Sequence, residues 1–319
     1  MHRSRFAAID VGSNAMRLRI VELSDGEVVP LASMRAPVRL GTEVFATGTI
    51  GSDTLDRAGS ALASFRERMV RERVRAYRAV ATSATREAKN GIDLAVRARR
   101  EAGLDLEIID GIEEARLVRR AVMSRVALVG RSILIDIGGG STEITVLEDR
   151  RVVRSSSLAL GTVRLLEKHA PDANGRFARV TIEGLRTAVD VALSNIAPML
   201  TRADRVIATG GTIKALASLS GDSARVRVSE LEPLVDRARR LDAEDRAATF
   251  DLRPDRVDTI IPAALVVSAV AESARVRRVE APRCGLRDGI IGELAAAHDP
   301  RRRPARVATS RMSQSLLAV

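Results

Sequence analysis

Two stretches of the chain carry the residue types needed to handle a phosphate. Residues 132–146 read SILIDIGGGSTEITV and residues 6–20 read FAAIDVGSNAMRLRI. In each, an apolar run ends on an aspartate, Asp136 or Asp10. It then breaks at small residues, Gly138-Gly139-Gly140-Ser141-Thr142 or Gly12-Ser13-Asn14, before the strand-like pattern resumes. Glycine has no Cβ to hold a ligand away from the backbone N–H groups, so such a turn can cradle an anion. Taken singly, Gly12-Ser13-Asn14 reads equally as an ordinary tight turn. Asp10 to Asp136 and Gly12 to Gly138 share one offset of 126 residues, however, which predicts a duplicated fold whose copies present the same loop. Two such loops, facing each other, would grip phosphates from opposite sides. Asp10, Asp136 and Glu143 would supply the hard oxygen ligands that suit a divalent cation. The strand formers Ile144-Thr145-Val146, and a loop without lysine, set the second stretch apart from a Walker loop, which feeds a helix.

Two further places could contribute. Gly210-Gly211 stands between a strand and a helix, where it is either a plain turn or a phosphate-friendly helix N-terminus. In Asp110-Gly111-Ile112-Glu113-Glu114, Asp110 is placed to cap a helix and Glu113 to reach back to it, a structural role. Glu114 has no such duty; it is free to point into a cleft or to sit solvated on the surface. Covalent catalysis finds little support. His2, His169 and His298 are the only histidines, too few and too scattered for a triad or a phosphohistidine. Cys284 lacks the arginine of a cysteine-phosphatase loop, and as the single cysteine it offers neither an internal disulfide nor a zinc cluster. A directly activated water remains.

Positioning these residues requires alternating strands and helices. Strands are expected over 6–10 and 16–23 around the Gly-Ser-Asn turn, with more strand after a Ser-Asp-Gly-Glu turn at 24–27. Leu55, Ala58, Leu62, Phe65 and Met69 share one face of a helix that opens at Ser52 and Asp53. A strand YRAVA, a helix from Ser83 to Gly91, a strand LEIID and a helix IEEARLVRRAVMSRV follow. The order then repeats: a hairpin at 132–148, strand at 152–158, one long helix over 181–201, the strand RVIAT and the helix TIKALASL. Further helices are expected from 229, from 258 and after CGLRDG. The pattern predicts an α/β chain with a first lobe at 1–125, a second at 126–299 and a basic, mobile tail at 300–319.

Composition narrows the partners. A chain of 319 residues, 45% hydrophobic and 29% charged, has room for two ordinary folded lobes. Its longest uncharged apolar run, IIPAALVVSAVA at 260–271, falls short of a membrane span. The N-terminus has no secretory core, so a cytoplasmic location and no membrane partner are expected. The formal net charge is +11, and all but Lys89, Lys168 and Lys214 of the 52 basic residues are arginine. Either a compositional bias or a polyanionic partner accounts for that. One tyrosine, five phenylalanines and no tryptophan leave few platforms for bases, so no specific nucleic acid is expected and a non-base polyanion fits better.

Seven motifs stand in order along the chain: AAIDVGSNAMRL, VATSATREAKNG, IIDGIEEARL, LIDIGGGSTEI, LGTVRL, ATGGTIKALA and GLRDGII. Together the sequence resembles the Ppx/GppA family of exopolyphosphatases and guanosine pentaphosphate phosphohydrolases, part of the actin, sugar kinase and Hsp70 superfamily. The resemblance implies a two-lobed, ribonuclease H-like duplicated fold with a central cleft. It implies Glu114 as catalytic base, Arg86 and Asn90 at the substrate end of the cleft, both glycine loops on phosphate, and Asp136 and Glu143 serving Mg²⁺ or Mn²⁺. The expected reaction is hydrolysis of the terminal phosphate of inorganic polyphosphate, with Arg86 neutralising charge on the phosphoryl oxygens. Guanosine pentaphosphate (pppGpp) is the alternative substrate, and a catalytically weak polyphosphate or nucleotide sensor is the alternative of another class. The Glu113-Glu114-Ala115-Arg116 signature disfavours a kinase-like or Hsp70-like ATPase. A homodimer is the family-level expectation. Long members add a C-terminal HD-like region, and this sequence is expected to be the short form.

Overall fold

The computed structural model describes residues 3–24 and 26–298; the basic tail expected at 300–319 lies outside the described residues. The apolar run that ends on Asp10 forms β1 (Ser4–Val11) and turns into β2 (Met16–Ser24), and β3 (Glu27–Ala36) follows. Next come α1 (Leu40–Thr47), α2 (Ser52–Arg71), β4 (Ala76–Ala81), α3 (Ser83–Glu87), α4 (Gly91–Ala102), β5 (Leu106–Ile108) and α5 (Gly111–Met123). The second half begins with β6 (Arg131–Ile137), β7 (Thr142–Glu148), β8 (Arg151–Leu158), α6 (Thr162–Lys168), α7 (Arg179–Leu193), α8 (Ala197–Leu200), β9 (Arg205–Gly210) and α9 (Ile213–Leu219). It ends with β10 (Arg225–Arg227), a 3₁₀ turn (Val228–Glu230), α10 (Leu231–Arg240), α11 (Ala243–Thr249), α12 (Ile260–Ala274), β11 (Arg278–Glu280) and α13 (Leu286–His298).

The first sheet runs β3-β2-β1-β4-β5 and the second β10-β11-β9-β6-β7-β8. Outward from each glycine hairpin the plan is the same. Three antiparallel strands lie on one side, β1-β2-β3 or β6-β7-β8, and parallel strands, β4-β5 or β9-β11, on the other. β10 is an added edge strand. The duplication extends to single hydrogen bonds: Gly12 N donates to Ala15 O at 3.3 Å, and Gly138 N to Ser141 O at 3.0 Å. The chain is thus a two-lobed α/β protein with one sheet in each lobe.

Each sheet has its own apolar core, and a third cluster joins them. Phe6, Ala8 and Val21 of the first sheet and Leu134, Leu147 and Ile207 of the second pack around Leu117 of α5 and Ile290 of α13. The last helix therefore returns to lie on α5 and β1. Gly289 permits this close approach, since a Cβ there would run into the backbone of Leu117. The apolar run at 260–271 becomes α12, buried on nearly every side, as a helix without a polar face must be. Pro262 falls in its first turn, where a missing N–H leaves no bond unmade. Among the described residues no helix is long and apolar enough to cross a membrane.

Some elements differ from the sequence reading. The helix expected from Ser83 to Gly91 ends at Glu87, because Asn90 turns its amide to Ile50: Ile50 N donates to Oδ1 and Nδ2 donates to Ile50 O, both at 2.8 Å. A separate helix, α4, then starts at Gly91 and buries Leu94, Ala98 and Ala102. The helix expected over 181–201 divides into α7 and α8, ahead of Pro198. From 229 the chain makes a 3₁₀ turn and two helices, the second capped by Asp242, whose carboxylate accepts from Asp245 N.

Candidate active site

The two glycine turns meet between the lobes. A Cβ on Gly139 would stand 3.1 Å from both Asn14 N and Ser13 Cβ, and one on Gly140 would stand 2.7 Å from Ser13 Oγ. Only a residue without a side chain lets the loops touch in this way. The carbonyls of the second loop are directed into α6: Gly138 O accepts from Thr162 N at 3.0 Å and Gly139 O from Val163 N at 2.8 Å. Arg164 then ties the loop to the other lobe. Its Nε donates to Gly140 O at 2.7 Å, its Nη2 reaches both Glu87 oxygens at 2.6 and 2.5 Å, and its guanidinium lies 4.0 Å over the Phe45 ring. On the first lobe, Ala84 N donates to Ser13 Oγ at 3.3 Å, so the start of α3 fixes the first loop.

Beside the loops lies a cavity of about 580 Å³ whose wall includes Asp10, Glu114 and Asp136. The strand ladders explain the arrangement. Asp136 sits opposite Glu143 on β7 and next to Thr209 on β9, while Asp10 sits opposite Arg17 on β2. Glu114 comes from the first turn of α5, whose start is fixed by Asp110 accepting from Glu113 N at 2.7 Å. Glu113 is structural as expected, but through ion pairs to Arg78 and Arg116 at 3.0 and 2.6 Å. Glu114, Asp136 and Glu143 each bring one carboxylate oxygen within 4.8 Å of the others. Asp10 is outside that triplet; its Oδ2 lies 3.9 Å from Arg17 Nη1.

Packing three carboxylates this tightly away from water disfavours their charged forms. Burial, then the charges of Glu143, Asp136 and Asp10, hold the Glu114 carboxyl well above the usual range, against a smaller pull from Arg86. Burial pushes Asp136 up to about 6, despite the 2.6 Å hydrogen bond that Thr209 Oγ1 donates to it. Burial and Asp136 push Glu143 up to about 7, although Ser157 Oγ donates to its Oε1 at 2.7 Å. One oxygen each of Glu114 and Glu143, both Oε2, is buried without a hydrogen-bond partner. Hard oxygens in a buried, like-charged cluster fit a divalent cation between Asp136 and Glu143, whose Oε2 has no partner, with Glu114 alongside.

The expected site residues divide accordingly. Gly12, Ser13, Asn14, Gly138, Gly139, Gly140 and Ser141 line the cavity, as do Gly210 and Gly211. Thr142 is buried behind the loop and donates to Leu160 O. Arg86 stands 3.8 Å from Glu114 Oε2 and donates to Ile109 O at 2.7 Å. Asn90 is occupied by Ile50. The sequence reading missed Thr209, Ser157 and Arg164. It also missed Arg17, although the same offset of 126 residues makes Arg17 the counterpart of Glu143. Arg17 lies between two electrical regimes, since its charge acts on Asp136 and also on Arg35 and Arg256 further along the cavity. Arg35, Arg253 and Arg256 make that further wall basic.

Residues 19–298 match the model of the Ppx/GppA phosphatase family. The chain is 31% identical over 301 residues to Exopolyphosphatase 1 of Mycobacterium leprae, covering 90% of this chain and 88% of that protein. It is 27% identical over 319 residues to a Vibrio cholerae protein named guanosine-5'-triphosphate,3'-diphosphate pyrophosphatase, covering 97% of this chain and 63% of the other. A solved exopolyphosphatase structure from Cytophaga hutchinsonii shares the fold with a TM-score of 0.84 at 22% identity, covering 92% and 98% of the two chains.

Proposed function

The chain belongs to the Ppx/GppA phosphatase family, and on that premise we propose that it is an exopolyphosphatase, releasing orthophosphate from the end of inorganic polyphosphate. The observation that carries this reading is Glu114: a buried carboxylate with an unpartnered oxygen, in a cavity walled by glycine hairpins from both lobes.

The terminal phosphoryl group is held by the backbone N–H groups of the paired loops and by Ser13 and Ser141. Water attacks its phosphorus, passing a proton to Glu114 Oε2 as the new P–O bond forms. The bond to the bridging oxygen breaks, and the shortened chain leaves with the electron pair. A raised pKa suits Glu114 to this task, because a base works best when its affinity for the proton is near the working pH. Arg86 holds Glu114 in place and offsets charge at the reacting centre. Asp136 and Glu143 would hold a magnesium or manganese ion, with Asp10 adding negative charge nearby. When bound, that ion supplies Lewis-acid polarisation of the phosphoryl oxygens.

A second reading, pppGpp hydrolysis, is favoured by the name of the Vibrio cholerae relative. Among the described residues lining the cavity none is aromatic, so a guanine would find no aromatic ring to stack on there, which favours the bare phosphate chain. Incubating the purified protein and magnesium with polyphosphate or pppGpp, and following orthophosphate, tests the proposal. Release from polyphosphate at the higher kcat/KM is expected. Release from pppGpp alone would replace it by the second reading, and tight polyphosphate binding without release would make the protein a sensor.

A further inference from the structure

The second glycine loop is held from behind by unlike means. In a trans peptide the carbonyl oxygen and the next residue's N–H point in opposite directions, so whatever fixes one carbonyl also aims the N–H that follows it. Gly138 O accepts from Thr162 N at 3.0 Å, which aims Gly139 N–H. Gly139 O accepts from Val163 N at 2.8 Å and Arg164 N at 3.1 Å, which aims Gly140 N–H. Both carbonyls are thus fixed by the backbone of α6. Gly140 O, which aims Ser141 N–H, has no backbone donor among the described residues and accepts instead from a side chain, Arg164 Nε at 2.7 Å. None of the three N–H groups donates to a backbone acceptor among the described residues, although Gly139, Gly140 and Ser141 all line the cavity. Three fixed carbonyls on one side leave three consecutive free donors on the other, a concave arrangement suited to anion oxygens. Its third member depends on one guanidinium.

That guanidinium is itself fixed on its remaining sides. Nη2 reaches Glu87 Oε1 and Oε2 at 2.6 and 2.5 Å, Ser83 Oγ donates to the same Oε1 at 2.8 Å, and Cζ lies 4.0 Å from the centre of the Phe45 ring. Glu87 and Ser83 belong to α3 and Phe45 to α1, so the first lobe orients a side chain of the second. Arginine suits the task because its planar fork serves Gly140 O with one nitrogen and Glu87 with another at the same time. Arg164 is not among the residues lining the cavity, so it acts on a bound phosphate only through the loop. We propose that Arg164 is a positioning residue for the hydrolysis: its bond to Gly140 O turns the Gly140–Ser141 peptide so that Ser141 N–H meets a non-bridging oxygen of the terminal phosphoryl group. The proposal rests on the exopolyphosphatase reading and assigns the third donor of the loop to the control of one side chain outside the cavity.

The test compares the wild type with Arg164→Lys, Arg164→Met and Glu87→Gln. Lysine keeps a charge facing Glu87 but offers no Nε to Gly140, whereas Glu87→Gln removes the ion pair and leaves Nε in place. In both Arg164 variants kcat/KM for polyphosphate should fall by about tenfold or more, and Glu87→Gln should lose less than either. The second readout is the amide resonances of Gly139, Gly140 and Ser141 in nitrogen-labelled protein titrated with orthophosphate and magnesium. All three should shift in the wild type. In Arg164→Met the Ser141 shift should be largely lost while those of Gly139 and Gly140 are kept, since backbone donors hold the carbonyls before them. A merely structural role would weaken all three shifts together, and a latch between lobes would spare Arg164→Lys and disable Glu87→Gln. Either result overturns the proposal, as does full activity in Arg164→Met. Should Arg164→Met fail to fold, Arg164→Lys takes its place in the titration. Failure of the parent reading looks different: the wild type releases no orthophosphate from polyphosphate. The orthophosphate titration then decides the loop by itself, selective loss at Ser141 supporting the assignment, and unmoved wild-type amides or equal losses at all three refuting it.

Discussion

Exchanging Glu114 for glutamine removes the proposed proton acceptor while keeping the side chain's size. Two effects of opposite sign follow from its surroundings. The residue is buried and repelled by Glu143, Asp136 and Asp10, with Arg86 at 3.8 Å as the nearer positive charge. Losing a general base should lower turnover by about 10² to 10⁴, or about 3 to 5 kcal/mol of transition-state stabilisation. Folding should not suffer, because a charge held in an acidic cluster has been removed. Glu143 shows the scale of that cost, which comes from burial first and from the charge of Asp136 second: its move from 4.5 to about 7 corresponds to on the order of 3 kcal/mol at about pH 8. The variant should therefore melt at or above the wild-type temperature in chelator while releasing almost no orthophosphate from polyphosphate with magnesium. Turnover within about threefold of wild type would refute the assignment of the base. Loss of activity together with a much lower melting temperature would show that the carboxylate serves the fold instead.

The remaining carboxylates predict a pH dependence. Asp136 and Glu143 are raised from 3.8 and 4.5 to about 6 and about 7, so the stability they contribute is present at low pH and lost as pH rises through 6 to 7. In chelator the melting temperature should fall from about pH 5 to about pH 8, and magnesium should restore more of it at the higher pH, where its ligands are already deprotonated; a flat profile would contradict this. Arg246 is fully buried and donates to the carbonyls of Ala238, Leu241, Val257 and Gly175. Arg246→Met should cost on the order of 3 to 5 kcal/mol in urea unfolding, and a loss below about 1 kcal/mol would deny it that role. Gly140→Ala drives a methyl group into Phe45 Cζ and Ser83 Oγ and to 2.7 Å from Ser13 Oγ, so the first-lobe side chains that meet the loop must give way. Its kcat/KM on polyphosphate should fall by about tenfold or more with the circular dichroism unchanged, and full activity would show that the loops need not touch.

The hairpins were legible because their chemistry is local. A turn that admits an anion needs glycine, and an aspartate closing an apolar run marks the strand end, so Asp10, Asp136 and their shared offset could be read directly. Subtraction, once Asp110 and Glu113 had been given to the helix start, left Glu114 open between cleft and surface; the resemblance chose the cleft, where the residue lies buried. Residues joined by the fold were not legible. Thr209 and Ser157 meet the acidic cluster only because β9 and β8 flank the hairpin, and the Arg164–Glu87 contact links distant segments without a local signal. Arg17 could have been found by carrying the offset one step further to Glu143. The start of α4 stayed hidden because Asn90 spends its amide on Ile50 and interrupts what reads as one helix. Asn90 itself shows the limit of a motif: the resemblance puts it at the substrate end of the cleft, but it is not among the residues lining the cavity and its amide bonds to Ile50.

The central claim is that water, activated at Glu114, attacks the terminal phosphorus of a polyphosphate chain. Hydrolysis in heavy-oxygen water, with mass analysis of the released orthophosphate, tests it most directly. The account predicts orthophosphate carrying one heavy oxygen from solvent, formed by the wild-type protein and nearly absent with Glu114→Gln. Orthophosphate without the label, its heavy oxygen found instead on the shortened chain, or undiminished labelled release by Glu114→Gln, would contradict it.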